Sequence, residues 1–462
     1  MMQFNIKHTL LVTLILCGSF SAARADDWPQ WLGPQRDGVW RETGLLDHFP
    51  KEGLKVLWRV PVGGGYAGPA VANGRVFVMD HQLKAADKGP GSPWSRATVP
   101  GSERVLCFDQ KTGKLLWTHE YDCPYDISYG AGPRTTPAVD GDCVYTLGAE
   151  GDLLCLNVAD GKEVWSHHLA SEKSPTPMWG FDGHPLVDGD KVIVLSCGFD
   201  PEHGHGLFTA FNKKTGAMIW TALADKPAGY APPMIVNAGG KRQLICWSPN
   251  QLASVDPETG KLYWKQAHGP IKNGVSIATP RFVHDAALGD LLLVSSANEG
   301  CLVMKLDADA PKASVFWKRG GTSERKTDAI QSLMAPVSIR DGHIYGVCIG
   351  GELRCLDLKN GDRIWETYAA TSGDVGHQSW ATAFVIPLGD SGSKYLLAND
   401  SGDLILANLT AAGYAEISRT HLLDPTNTDA GRPVLWCHPA LAGKCVFWRN
   451  DKEMVCASMA GG

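Results

Sequence analysis

Ten aromatic and polar residues lie in short loops that each precede a predicted strand. The loops include YGAGPRTT from Tyr129, MWGFDGH from Met178, GHQSWA from Gly376 and LWCH from Leu435. Aromatic rings that meet His, Arg and Asp in one concavity are what a small-molecule site needs. We predict that these loops converge on one mouth of a central channel, with the following ligand candidates: Tyr129, Arg134, Trp179, Asp182, His184, His377, Gln378, Trp380, Trp436 and His438.

Simpler roles compete with these assignments. His184 and His438 are each followed by Pro, and each can instead satisfy backbone groups where a strand begins. In the loop DPEHGHG, His203 and His205 lie beside two carboxylates and are weak candidates for a divalent metal. A Gly-rich polar loop of this kind is more often simply solvated, so we predict no metal site. No nucleophile elbow, phosphate-binding loop or HExxH motif is present, and catalytic residues are not identified.

A repeated unit must position these loops. It consists of an apolar run, an Asp or Asn, a polar turn with Gly, and a Trp four residues after that Gly, as in LLCLNVADGKEVW. Degenerate copies end at Trp317 and at Ile417, where Ile stands in for the Trp. The repeated positions are Trp58, Trp117, Trp165, Trp220, Trp264, Trp317 and Trp365 for the aromatic ring, and Gly113, Gly161, Gly216, Gly260 and Gly361 for the turn.

The unit predicts an all-β propeller. An Asp or Asn four residues before a Gly is typical of a tight turn, and the flanking β-branched and aromatic residues favour strands. The tryptophans are 44 to 59 residues apart, which fits one four-stranded blade per repeat. A large ring at one fixed place per blade fills the seam, meaning the contact between neighbouring blades.

Eight pairs of strands begin the blades, from GPAVANGRVFVMD at Gly68 to HPALAGKCVFWRN at His438. The eighth blade has no Trp-bearing final strand of its own. The segment KVLWRVPV, which carries Trp58, can supply it. We therefore predict an eight-bladed propeller of four-stranded antiparallel blades over residues 55–462, with the ring closed by an N-terminal strand that completes the last blade.

The first 25 residues have the pattern of a signal peptide. Lys7 precedes an apolar run too short to span a bilayer, and Ala23 and Ala25 are small residues of the kind that signal peptidase reads. We predict cleavage after Ala25 and export to the periplasm or cell envelope. Lipid attachment at Cys17 is disfavoured, because Leu16 stands where a lipobox has a small residue.

Residues 26–54 are rich in Trp, Gly and Pro and form a predicted N-terminal cap. We expect its aromatic side chains to pack on the propeller edge, and a ligand-binding tongue is the alternative.

Twelve cysteines follow the signal segment. Cys107, Cys155 and Cys355 each lie two residues before the Asp or Asn of the repeat, where Ala210 and Ser254 occur in other copies. The position therefore requires a small side chain, and we expect mostly buried thiols, with one or two disulfides left open.

Composition places limits on partners. The chain of 462 residues is 44% apolar and 20% charged, with a formal net charge of −6. An acidic chain is not drawn to nucleic acid or to an anionic membrane surface. We expect a monomer without a transmembrane segment.

The motif apolar–Ala–Leu–Asp–x–x–Thr–Gly–x–x–x–Trp resembles the pyrroloquinoline-quinone-type (PQQ-like) propeller repeat. That repeat occurs in periplasmic quinoprotein dehydrogenases and in the BamB-like proteins of outer-membrane assembly, which bind no quinone. The dehydrogenases resemble each other in two adjacent cysteines over the quinone, and this chain has no Cys-Cys pair. Their calcium ligands cannot be matched here residue by residue.

The resemblance leaves two main functions. The first is a non-catalytic exported binding or protein-interaction scaffold of the BamB type, with a protein or a small molecule as partner and no assured cofactor. The alternative is an oxidoreductase that uses PQQ with calcium to oxidise alcohols or sugars. A carbohydrate-binding or adhesion module is a third class without a motif of its own. We predict the scaffold.

Overall fold

The computed structural model describes residues 27–84, 96, 98–172, 174–197, 206–269, 271, 275–297, 299–320, 327–429 and 431–461. The predicted signal segment and the metal candidates His203 and His205 lie outside the described residues.

Eight four-stranded antiparallel sheets form the blades, and we number them in chain order. The first comprises β2 (Ala70–Ala72), β3 (Arg75–Leu83), β4 (Gly101–Asp109) and β5 (Leu115–Asp122), and the second β6 (Ala138–Asp140), β7 (Cys143–Leu147), β8 (Asp152–Asn157) and β9 (Glu163–His168). The third comprises β10 (Leu186–Asp188), β11 (Lys191–Leu195), β12 (Phe208–Asn212) and β13 (Met218–Ala222), and the fourth β14 (Met234–Ala238), β15 (Lys241–Trp247), β16 (Gln251–Val255) and β17 (Leu262–Ala267).

The second half of the ring repeats this order. The fifth blade comprises β18 (Arg281–Asp285), β19 (Gly289–Ser296), β20 (Gly300–Leu306) and β21 (Ala313–Arg319), and the sixth β22 (Ser338–Arg340), β23 (His343–Val347), β24 (Leu353–Asp357) and β25 (Arg363–Thr367). The seventh comprises β26 (Ala383–Pro387), β27 (Lys394–Asn399), β28 (Asp403–Thr410) and β29 (Gly413–His421), and the eighth β32 (Ala440–Ala442), β33 (Cys445–Arg449), β34 (Glu453–Ser458) and β1 (Val56–Pro61). A short 3-10 helix spans Gly373–Val375, and a hairpin of β30 (Asn427–Asp429) and β31 (Arg432–Val434) precedes the eighth blade.

The ring closes as the sequence predicts. Strand β1 pairs antiparallel with β34, and Trp58 lies opposite Cys456. The last blade is therefore built from both ends of the described chain, and no blade is left one strand short. The all-β, eight-bladed architecture is confirmed.

The repeated tryptophans join neighbouring blades. A Cβ added to Gly113 would lie 2.9 Å from the Trp58 ring, and one added to Gly161 would lie 2.5 Å from the Trp117 ring. Each of these indoles also donates its Nε1–H across the seam, Trp58 to the Gln110 carbonyl at 2.9 Å. The same hydrogen bond to the next blade occurs at Trp117, Trp165, Trp220, Trp317 and Trp365.

Trp264 is the exception. The turn that faces it in the fifth blade has Pro311 near the position that Gly occupies in the other copies. The Trp264 indole donates instead to Gln243 Oε1 in its own blade at 2.8 Å.

A β-bulge directs each tryptophan into its seam. In the second blade Leu156 pairs with Glu163 and Cys155 with Trp165, so Val164 is the extra residue. Such a bulge twists the strand and re-aims the side chain that follows it. The small residue predicted from the repeat lies directly opposite the ring: Cys107 faces Trp117, Cys155 faces Trp165, Ala210 faces Trp220, Ser254 faces Trp264 and Cys355 faces Trp365.

The register corrects the prediction for the seventh blade. Leu406 pairs with Ser418 and Ala407 with Glu416, so Ile417 occupies the bulge and Ser418 stands at the tryptophan position. Sequence alignment placed Ile417 there because spacing alone does not reveal a bulge. The N-terminal segment covers this place, where the Phe49 N–H donates to Ser418 Oγ at 3.0 Å.

The N-terminal segment lies across one end of the channel, and its tryptophans contact the innermost part of the ring. Trp28 exchanges two backbone hydrogen bonds of 2.8 Å with Val71 in the innermost strand of the first blade. Farther along, the Trp40 N–H donates to the Pro387 carbonyl in the seventh blade at 3.0 Å. Between these points Trp31 enters the channel itself.

Arg36 fixes this segment from within. Its side chain is buried, and its guanidinium donates to the carbonyls of Pro185 at 3.0 Å and Pro233 at 3.2 Å, which precede the innermost strands of the third and fourth blades. A cation shared between two blades ties the segment to the ring.

The cysteines are structural. All twelve in the described part of the chain are free thiols, and ten of them are buried. Burial raises the pKa of Cys107 to about 11, which keeps this thiol protonated and inert at neutral pH.

We expect Gly161→Ala to lower the free energy of unfolding by about 2–3 kcal/mol, because φ is +72° and the added methyl overlaps the Trp117 ring. The matched control is Gly141→Ala in the same blade, where φ is +58° and no atom lies within 4 Å of the added Cβ. The control carries only the backbone cost of about 1 kcal/mol. Guanidinium unfolding measures both variants, and equal losses would contradict the seam contact.

Candidate functional site

A cavity of about 350 Å³ occupies the centre of the ring. Its wall is formed mainly by the loops that precede the innermost strands, and Trp31 of the N-terminal segment also lines it. The lining residues are Trp31, Tyr66, Tyr129, Arg134, Trp179, Asp182, His184, Tyr230, Pro232, Val275, Ile277, Ala297, Leu333, Met334, Trp380, Phe384, Trp436 and His438.

Eight of the ten predicted candidates line this cavity. The chain runs from the outermost strand of one blade to the innermost strand of the next, so each connecting loop must reach the central channel. The eight residues that the structure brings together are Tyr129, Arg134, Trp179, Asp182, His184, Trp380, Trp436 and His438.

His377 and Gln378 lie outside the lining. After the short 3-10 helix, the chain turns toward the sixth blade, where the Gln378 N–H donates to the Gly350 carbonyl at 2.9 Å. The His377 Nδ1 lies 3.7 Å from Glu352 Oε1. Both residues therefore contact the loop between the middle strands of that blade. Of the three candidates in this segment, Trp380 is the one that lines the cavity.

Aromatic rings in the wall are arranged in tilted pairs. The Trp436 ring centroid lies 6.3 Å from that of Tyr66 and 5.8 Å from that of Tyr129, and the Trp179 centroid lies 5.3 Å from that of Tyr230. These separations are typical of stabilising aromatic contacts. The wall consequently presents several ring faces and edges to one space.

Two of these aromatic residues have strained backbones. Tyr129 has φ of 54° and Trp380 has φ of 63°, a region that bulky side chains rarely adopt. Surrounding structure must hold such residues in place, and they concentrate at ligand sites. Tyr129 is held by its hydroxyl, which donates to Asp429 Oδ1 at 2.8 Å.

Arg134 is a structural cation. Its guanidinium donates to the carbonyls of Gly132 at 2.5 Å, Ser128 at 2.9 Å and Tyr129 at 2.7 Å. It also lies 5.3 Å from the centroid of the Tyr66 ring. These contacts fix the loop that carries Tyr129, and three of the N–H groups are no longer available to a ligand.

Asp182 differs from the other polar residues of the wall. Its carboxylate accepts no hydrogen bond and forms no ion pair with any residue that the structure describes. Burial raises its pKa from 3.8 to about 7, and the charge of Arg134 opposes this only in part. The cavity thus contains a carboxyl group without a protein partner.

His184 and His438 both bond backbone groups, as the structural alternative supposed, and also line the cavity. The Thr136 N–H donates to His184 Nδ1 at 2.8 Å, and the His438 Nδ1 lies 2.5 Å from the Pro439 carbonyl. The Trp31 ring stacks on His184 with centroids 3.9 Å apart. Burial lowers the pKa of His184 well below its usual value and that of His438 to about 4, so both rings are neutral at pH 7.

Two indole N–H groups at the cavity have no partner. The Nε1 atoms of Trp179 and Trp436 are shielded from solvent and bond to no described residue. An unpaired buried donor costs free energy, so a ligand that accepts hydrogen bonds from these groups would be stabilised.

Trp31, Tyr66 and Tyr230 also line the cavity and were not among the predicted candidates. The two tyrosines share a signal, since Gly65-Tyr66-Ala67 and Gly229-Tyr230-Ala231 are identical tripeptides before innermost strands. Trp31 has no comparable signal, because it belongs to no repeat and reaches the channel through tertiary contacts. Its Nε1–H donates to Thr279 Oγ1 at 2.8 Å.

The described residues contain no group of three or more His, Cys, Asp and Glu side chains placed to hold a metal ion. Nor does this part of the chain include a helix with the length and hydropathy needed to cross a bilayer.

We expect the pH dependence of stability to report on Asp182. Since its folded pKa is raised, the native state holds the proton more tightly than the unfolded chain. The contribution of Asp182 to the free energy of unfolding therefore falls as the pH rises from about 4 to about 7, and this contribution is constant above pH 7. The loss from this one group is on the order of 2 kcal/mol, because cavity solvent screens part of the shift.

Unfolding of the wild type and of Asp182→Asn at pH 5 and pH 8 measures this dependence. The wild type should lose more stability than the variant between these values, since asparagine does not titrate. Parallel losses would contradict the raised pKa.

A family model described as outer membrane protein assembly factor BamB matches residues 101–367. Lupanine 17-hydroxylase [cytochrome c] of Pseudomonas sp is 30% identical over 226 residues, which are 47% of this chain and 27% of that protein. Outer membrane protein assembly factor BamB of Yersinia pestis is 20% identical over 340 residues, 71% of this chain and 66% of that protein. The chain thus spans less than two thirds of the length of either relative.

Among solved structures, quinohemoprotein alcohol dehydrogenase from Comamonas testosteroni aligns with a TM-score of 0.59 at 17% identity. The alignment covers 96% of this chain and 81% of that one. At this identity the likeness shows the fold alone. Both branches of the predicted resemblance are therefore represented among the similar proteins, and the PQQ-like propeller repeat is confirmed.

Proposed function

Since the chain belongs to the family described as outer membrane protein assembly factor BamB, we propose that it is an exported binding propeller that holds a small organic molecule in its central cavity. The observation that carries the proposal is the lining itself. Aromatic walls, the unpaired indole donors of Trp179 and Trp436, and the Asp182 carboxyl group meet in a space of about 350 Å³. Such a combination of apolar walls and few polar groups is typical of ligand sites.

The residues do not fit pyrroloquinoline quinone. This cofactor is a planar tricarboxylate, so its site needs several cationic donors or a metal ion. The described wall offers one guanidinium, Arg134, whose contacts are to backbone carbonyls. It also presents the Asp182 carboxylate, which would repel the cofactor, and two neutral histidines. We derive no oxidation step through this group and prefer the binding function to the dehydrogenase function.

The test is to purify the protein from its native compartment, denature it, and identify released small molecules by mass spectrometry. We expect about one equivalent of a small organic molecule from the wild type. Trp179→Ala should release at least tenfold less. Met178→Ala is the matched control, since this neighbouring side chain is exposed and does not line the cavity.

Two results would overturn the proposal. One equivalent of pyrroloquinoline quinone with calcium would replace it by a quinoprotein oxidoreductase. A wild type that releases nothing, and that binds nothing from a metabolite library, would show that the cavity is not a ligand site.

Export is proposed from the sequence alone. The charged start, apolar run and Ala23-Arg24-Ala25 of the first 25 residues support it. N-terminal sequencing of the mature protein should read from Asp26, and retention of Met1 in the native host would contradict export.

A second candidate function, docking of a protein partner, is favoured by the outermost strands. Just before the seam tryptophans, these strands expose apolar side chains, among them Leu115, Leu116, Met218 and Ile219. Pairs of neighbouring apolar side chains that are exposed to water can take part in a protein interface. A photo-crosslinker at Ile219 should capture a defined partner in cells, whereas one at exposed Asp374 should not; equal labelling would argue against this surface.

A further inference from the structure

We infer that the molecule held in the cavity is an organic cation, an amine or quaternary ammonium compound that pairs with the Asp182 carboxylate among the surrounding tryptophan and tyrosine rings. The inference rests on the binding function proposed above and specifies the chemical class of the ligand.

The charge balance of the wall points to a cation. Asp182 is the acidic residue of the lining, and it has no ion pair or hydrogen bond within the described chain. The nearest positive charge, Arg134, donates to three backbone carbonyls and forms no ion pair with Asp182, and its charge offsets the raised pKa of Asp182 only in part. A buried carboxylate is stable only when it is paired or neutralised. A positively charged ligand would supply the missing partner.

The aromatic wall favours the same class. Ring faces carry negative electrostatic potential and attract ammonium groups, and several rings around one space are the usual arrangement for quaternary ammonium ligands. Tryptophan is the strongest of these partners, and Trp31, Trp179, Trp380 and Trp436 all line the cavity. The histidines add no competing positive charge, because both are neutral at pH 7.

An anionic ligand is disfavoured by the same residues. It would face the Asp182 carboxylate, and the one guanidinium of the lining, Arg134, already donates three N–H groups to backbone carbonyls. A neutral sugar could stack on the rings and bond to the indole N–H groups, but it would leave the carboxylate without a counter-charge. Substitution of Asp182 therefore separates a cation from a neutral ligand.

The test compares choline with 3,3-dimethyl-1-butanol, which has the same shape without the charge, by isothermal titration calorimetry on the full mature protein. We expect choline to bind at least tenfold more tightly. Asp182→Asn should weaken choline about tenfold or more and leave the neutral alcohol unchanged. Asp374→Asn, which removes an exposed carboxylate outside the lining, should bind both as the wild type does.

The unfolding temperature distinguishes loss of a site from loss of the fold. Asp182→Asn removes an unpaired charge, so its unfolding temperature should match or exceed that of the wild type at pH 8. A variant that loses choline binding while it keeps its stability supports the inference.

Failure of the inference differs from failure of the binding function. If the neutral alcohol or glucose binds as tightly as choline, or if Asp182→Asn binds choline normally, the ligand is not a cation and the binding function stands. If the wild type binds none of these probes and also releases no molecule after purification, both proposals are overturned.

Discussion

Replacement of Arg449 by Met is expected to lower the free energy of unfolding by about 3–5 kcal/mol. Arg449 ends strand β33 of the eighth blade and is fully buried. Its guanidinium donates to the carbonyls of Met79 at 2.7 Å and Asn450 at 3.0 Å, and also to that of Gly63. Methionine replaces the aliphatic part of the side chain but leaves these buried carbonyl acceptors without their guanidinium donor.

The loss should be large because Arg449 joins the last blade to the first. Met79 lies in β3 of the first blade, so the guanidinium is part of the contact that closes the ring. Chemical denaturation of the full mature chain measures the effect. Arg59→Met is the matched control, since Arg59 lies on β1 of the same blade but is 41% exposed and pairs with Glu453. The control should change stability by less than about 1 kcal/mol, and a comparable loss in both variants would contradict this account.

Replacement of Trp31 by Ala is expected to cost about 3–5 kcal/mol. The ring is buried between His184, on which it stacks, and His438, which it meets edge-on with centroids 5.1 Å apart. Truncation removes these contacts and the hydrogen bond to Thr279, and it leaves a void that joins the central cavity. The variant should therefore also bind the cavity ligand more weakly.

Trp31→Phe separates the two contributions. It retains a six-membered ring beside His184 but loses the indole N–H and the five-membered part of the ring, so the expected cost is about 1.5–3 kcal/mol, less than that of Trp31→Ala. Unfolding curves of both variants decide the matter. If Trp31→Ala unfolds like the wild type, the N-terminal segment does not occupy the channel.

The fold could be predicted because each blade repeats the same local solution. The Asp or Asn to Gly turn, the small residue and the tryptophan are local signals that recur with regular spacing, and together they determine blade number and seam chemistry. What spacing could not show was the register. The bulge that shifts Ile417 out of the seam and puts Ser418 there is a property of strand pairing, which no single strand reveals.

The site was partly predictable for a topological reason. A loop that leads into an innermost strand of a propeller must approach the axis. Eight of the ten predicted ligand candidates therefore line the cavity. His377 was misplaced because the turn after Gly373–Val375 directs it to a neighbouring loop. The place of Trp31 in the cavity could not be predicted, because its neighbours, His184 and Thr279, are distant in sequence and share no motif with it.

The pairing of β1 with β34 has a consequence for the order of folding. During synthesis β1 leaves the ribosome before any blade exists, and the strand that it must pair with appears only after the other seven blades. Until then β1 has an unpaired edge, and the eighth blade cannot form. Contacts between such distant segments form slowly, because the entropy of closing a long loop is lost before the contacts stabilise the chain. Ring closure should therefore be a late event, and a nascent chain halted before Glu453 should remain an open, protease-sensitive arc of blades.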